Sequence, residues 1–159
     1  MKNSKFFKLL FVEVIVLGAI CAYFLIDSSD IYRWYVGNTD FVKQSKNCNL
    51  HNSSCLVKLK DGSIMRLSIE PRSIPLMKPI ELTVKTKNIA TDTLKLKIFA
   101  TNMNMGLIVK TLKKVSKGIY KGSVTLPTCI VGGMIWNANI IANKPNKSIG
   151  AIFEFKTAK

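Results

Sequence analysis

The chain has 159 residues and a formal net charge of +15. That length accommodates one domain and an appendage, not two full domains. One histidine and few acidic residues offer no nucleophile–base–orienter set, no zinc cluster and no glycine-rich phosphate loop, so a non-enzymatic role is expected.

The first thirty residues differ from the rest. Lys2, Lys5 and Lys8 precede an apolar run, Leu9 to Ile26, broken only by Glu13. Eighteen helical residues at about 1.5 Å each span roughly 27 Å, close to the hydrocarbon thickness of a bilayer. The run exceeds the usual h-region of a cleaved signal peptide and lacks a small-x-small site. Ile20 before Cys21 also breaks a lipid-attachment motif. The expectation is therefore a cytoplasmic tail over 1–8, an uncleaved membrane anchor over 9–26, a juxtamembrane linker over 27–47 and a periplasmic domain over 48–159. The lysines lie before the run, whereas Asp27 and Asp30 follow it, which orients the N-terminus to the cytoplasm of a bacterial inner membrane. Glu13 reads as a tolerated interfacial acid.

Charge within residues 1–30 balances, so the excess belongs to the exported part. Its lysines sit at alternate strand positions ("LKLKIF", "ELTVKTK"), as on a solvated sheet face or a guarded edge. No arginine cluster or basic-aromatic module points to nucleic acid. The basic face suits anionic lipid head groups or an acidic partner.

Beyond Asp30 the pattern is that of strands. Tyr32, Trp34 and Tyr35 suit a membrane interface. "CLVKLKDGSIMRLSIE" alternates on both sides of Asp61-Gly62, a dipeptide that favours a tight hairpin turn. Further short strands are expected at 79–86, 94–100, 107–112, 119–126, 134–142 and 149–156, each bounded by turn-forming residues. Seven or eight short strands at such spacing predict an all-β antiparallel sandwich.

The order "IEPRSIPLMKPIELTV", "MNMG", "KGIYKGSVTLPTCIVGGMIWNANI" resembles that of small FixH/YtkA-like bacterial proteins, over about residues 55 to 143. The resemblance implies an immunoglobulin-like sandwich, membrane-anchored or secreted, with a methionine-bearing loop. It also implies a role in copper handling and respiratory-oxidase assembly, with a membrane respiratory complex or a copper-relay protein as partner. This chain departs from the family pattern in having no histidine in its methionine loop; His51, its only histidine, lies far upstream.

Thioether and thiolate sulfur favour copper(I). Met103 and Met105 flank Asn104 in "ATNMNMG", and Cys129 and Met134 flank "IVGG". If the 100–106 and 127–134 segments share one end of the sandwich, these four sulfurs make a candidate copper(I) site. The alternative is that the methionines seal the core, as Met65 and Met77 are expected to do. Cys48 and Cys55 in "CNLHNSSC" can close a small disulfide loop in an oxidising compartment; either can instead join Cys129 or remain a thiol. Cys21 falls within the apolar run, and His51 reads as a solvated loop residue. Two functions follow: an anchored copper-binding or copper-delivery accessory protein, or a structural accessory subunit that docks through its sandwich and binds no metal.

Overall fold

The computed structural model describes residues 8, 10–17, 39–128, 133–144 and 147–157. Residues 10–17 are helical, and among the described residues no helix is long and apolar enough to cross a membrane. Most of the predicted anchor (residues 9 and 18–26), and the aromatic residues 32–35, lie outside the described set. The chain divides into two compact units, Met1–Asn38 and Thr39–Lys159.

The second unit is all-β. Nine strands are present among its described residues: β1 (Asp40–Lys43), β2 (Cys55–Lys58), β3 (Ile64–Glu70), β4 (Pro79–Lys87), β5 (Thr93–Ala100), β6 (Leu107–Ser116), β7 (Ile119–Thr125), β8 (Met134–Ala142) and β9 (Ile149–Thr157). They form one sheet in the order β1-β9-β8-β5-β6-β7-β4-β3-β2. The sheet folds over as a β-sandwich whose two ends, β1 and β2, come close enough to nearly close a barrel.

Alternation drives this arrangement. Val57, Met65, Leu67, Ile80, Leu82, Leu94, Leu96, Trp136, Ala138 and Phe153 face inward and are almost wholly buried, while their neighbours along each strand face out. At about 25 cal/mol per Å² of apolar surface, that common core is the main stabilising term. Two motif aromatics fasten it at their polar ends. The Tyr120 hydroxyl donates to the Thr91 carbonyl oxygen at 2.5 Å, and the Trp136 indole N–H donates to Thr157 Oγ1 at 3.2 Å. Gly118, with φ +70°, sits where an added Cβ would lie 2.7 Å from the Thr86 carbonyl oxygen. Only glycine meets both demands there.

Three details depart from the sequence expectation. The sheet starts at Asp40, inside the expected linker, because β1 pairs in parallel with β9 and the Phe41 ring occupies the space above Gly150. Expected strand 107–112 continues to Ser116. Its first seven residues pair with β5, and β7 takes over from Lys113 across a register shift between Lys114 and Ser116. With β1 added, the strand count among the described residues is nine rather than seven or eight. The Asp61-Gly62 hairpin forms as expected between β2 and β3, with Gly62 at φ +78°.

Candidate functional site

The strand directions gather the connections 44–54, 71–78 and 101–106 at one end of the sandwich, with the ends of β7 and β9 and the start of β8. The turn after β5 is held against the start of β8. Thr101 N–H donates to the Ile135 carbonyl at 2.8 Å. The Asn102 carboxamide donates to the Gly133 carbonyl at 3.1 Å and accepts from Ile135 N–H at 3.1 Å. Asn102 thereby mimics a strand partner beyond the last residue of β5. Gly106, at φ +76°, then reverses the chain into β6. The 100–106 turn thus lies against the start of β8.

The four candidate ligands are placed differently. Met103 and Met105 are both half-buried in this turn, with Met105 resting against the core. Met134 is 1% exposed and lies in phase with Trp136, so it is a core side chain. Cys129 lies outside the described residues. Met65 is buried in β3, as expected of a core residue, but Met77 is not: it is 65% exposed. Its φ of +57° turns the side chain outward while its N–H donates to the Leu126 carbonyl at 2.9 Å. A left-handed backbone is unfavourable for a methionine. Met77 therefore stands at the start of the 126–133 connection, and Asn102 holds its end.

Cys48 and Cys55 form a disulfide with Cα atoms 5.7 Å apart. The bond fastens the 44–54 connection to the fully buried first residue of β2. His51 fastens the same connection elsewhere and is not simply solvated. Its Nδ1 lies 2.8 Å from the Arg72 carbonyl oxygen and its Nε2 2.6 Å from that of Lys156. Carbonyl oxygens only accept, so a neutral ring satisfies one contact and the imidazolium satisfies both. With both nitrogens engaged, the ring acts as a clasp between β9 and the turn after β3. Beside it opens a cleft of about 600 Å³ lined by Lys43, Gln44, Lys46, Cys48, His51 and Lys156. Gln44 donates to the Cys48 and Glu154 carbonyls, while its own carbonyl oxygen is buried with no partner among the described residues. No group of three His, Cys, Asp or Glu side chains suited to a metal ion occurs among the described residues.

The opposite end is built from tight turns and charge. Lys144 Nζ lies 2.5 Å from Asp61 Oδ2, and Lys147 Nζ lies 2.7 Å from Asp40 Oδ2. Donation from Lys144, reinforced by the Ser63 backbone and hydroxyl, holds the Asp61 carboxyl below the usual carboxylate range. Lys147 does the same for Asp40.

No family model, curated protein or solved structure matches this chain. Functional assignment therefore rests on its own residues. The sequence does not single out Asn102, and it assigns Met77 to the core, where the fold does not put it. An asparagine in a turn carries no mark of the clamp it forms, and "PLMKP" carries no signal for the left-handed backbone that exposes its methionine.

Proposed function

We propose that the protein is a non-enzymatic, membrane-anchored accessory protein whose periplasmic domain binds or delivers copper(I) for assembly of a respiratory oxidase. Met103 and Met105 supply the first donors. The observation that carries this reading is the Asn102 clamp, which fixes a Met-x-Met turn against Gly133 and Ile135 at the start of β8. Two half-buried thioethers in a turn bounded by asparagine and glycine have the donor chemistry that copper(I) prefers over harder ions. Cys129 can complete the set, whereas Met134 belongs to the core. The domain is read as immunoglobulin-like because β4 and β7 pair on one side, β5, β8 and β9 on the other, and β6 passes between the two groups.

The test is copper(I) loading of the full chain under ascorbate, read by competition with a chromophoric chelator. The parent should bind copper, and Met103→Leu with Met105→Leu should weaken binding by about tenfold or more, equivalent to about 1.4 kcal/mol. Leucine preserves most of the apolar volume, so folding should survive. Equal affinity in the double variant removes the methionines from the site. Absence of copper binding in the parent supports the second reading, a structural accessory subunit. That reading draws on the exposed Leu107, Val109 and Val115 of β6, a strand with a single fully buried residue.

A further inference from the structure

The domain contains six carboxylates, and each is held by a cation. Asp40 pairs with Lys147, Asp61 with Lys144, Glu70 with Arg72, Glu81 with Lys121, Asp92 with Lys114 and Glu154 with Lys43. The excess positive charge therefore has no internal carboxylate left to meet it. Strand register aligns part of it. On the outer face of β2, β3 and β4, Leu56, Arg66 and Lys85 form one cross-strand row, and Lys58, Ile64 and Lys87 form the next. All four cations are exposed, and none of them is in an ion pair among the described residues. The carboxylates on the same face, Glu70 and Glu81, lie two rows away and are already engaged.

Arg66 directly opposes Lys85. Like charges in that position destabilise a sheet, because opposed side chains lie only about 5 Å apart at Cβ. An anionic surface outside the sheet relieves that repulsion. We propose that this face rests on an anionic phospholipid surface. The occupant follows from the form of the patch. It is a sheet face whose cations stand in two adjacent rows, and three of the four are lysines. Lysine is a mobile point charge suited to a diffuse negative field, in contrast to the fork geometry with which arginine grips a single carboxylate or phosphate. Leu56, 41% exposed, and half-buried Ile64 lie among the cations, so apolar side chains face the same surface as the charges. The proposal rests on the anchored reading of residues 9–26. That anchor leaves residues 27–38 between bilayer and domain, a reach of at most about 40 Å when fully extended.

The experiment places the full chain in nanodiscs of phosphatidylcholine, alone or mixed with phosphatidylglycerol, and follows acylation of each lysine by mass spectrometry. Phosphatidylglycerol should slow Lys58, Lys85 and Lys87 by roughly three- to tenfold, and molar salt, with its Debye length of about 3 Å, should remove the protection. Lys95 and Lys110, on β5 and β6, should react equally in both discs. Lys58→Gln with Lys87→Gln should restore the Lys85 rate. Equal rates for the patch lysines in the two lipids overturn the proposal. So does protection that arises only when an acidic protein is added. Retention in discs through an alkaline carbonate wash reports the anchor separately. A chain washed off phosphatidylcholine discs, yet showing the same protected lysines on phosphatidylglycerol, refutes the anchor and keeps the patch.

Discussion

The two ends of the sandwich are made of different chemistry. At one end the connections 59–63, 88–92, 117–118 and 143–148 are short and carry no sulfur. That end is fixed by glycine turns and by the Lys144–Asp61, Lys147–Asp40 and Lys114–Asp92 pairs. At the other end the connections are mostly longer. They carry the disulfide, the exposed Met77 and the Met103–Met105 turn. The difference is one of construction: one end is closed by short turns and ion pairs, and the other carries sulfur side chains on loops held by side-chain clasps. Loops positioned by a rigid scaffold are where binding residues concentrate.

Breaking the clasps should therefore change the sulfur end and leave the hairpin end intact. The largest effect should come from reducing Cys48–Cys55. By loop-closure entropy, loss of so small a ring lowers stability by roughly 2 kcal/mol. Chemical denaturation with and without reductant measures it. Hydrogen exchange should quicken over residues 44–54 and remain unchanged at the Asp61-Gly62 hairpin.

Much of this was legible in the sequence, and the exceptions have physical causes. Strands such as β3, β4 and β5, and the Asp61-Gly62 turn between β2 and β3, follow from alternation, because each of these strands has one buried face. β1 was hidden because four residues give too short a pattern and its parallel partner β9 lies more than a hundred residues away. In β6, the lysine-rich "LKKVS" signals little burial, and its continuation depends on a change of partner from β5 to β7. Within the candidate site, the 101–106 turn lies against the start of β8 through Thr101 and Asn102, while Cys129 is outside the described residues. The inward phase of Met134 could be read from the alternation Met134, Trp136, Ala138, Ile140. The exposure of Met77 could not, because it depends on left-handed backbone at Ile74 and Met77.

A smaller effect is expected from Asn102→Ala. The variant loses two hydrogen bonds at an exposed site, and a typical bond contributes about 1 kcal/mol net. Amide exchange at residues 101–106 should rise and copper(I) affinity should fall, while β5 and β8 stay protected. Unchanged exchange would show that the turn does not depend on the clamp.

The smallest effect lies at the charged end. Asp61 has a folded-state pKa lowered chiefly by Lys144. Its contribution is therefore present above the unfolded value of about 3.9 and lost as pH falls through the lower folded value. Asp61→Asn should be mildly destabilising at neutral pH, and its difference from the parent should shrink in strong acid. Denaturation curves at the two pH values check the sign. A difference that grows in acid would reverse the assignment.

The measurement that tests the copper reading most directly is X-ray absorption at the copper edge of the copper(I)-loaded full chain. The account predicts a shell of sulfur scatterers, fewer in the Met103→Leu, Met105→Leu variant. A shell of nitrogen and oxygen alone, or a sulfur shell unchanged in that variant, would contradict it.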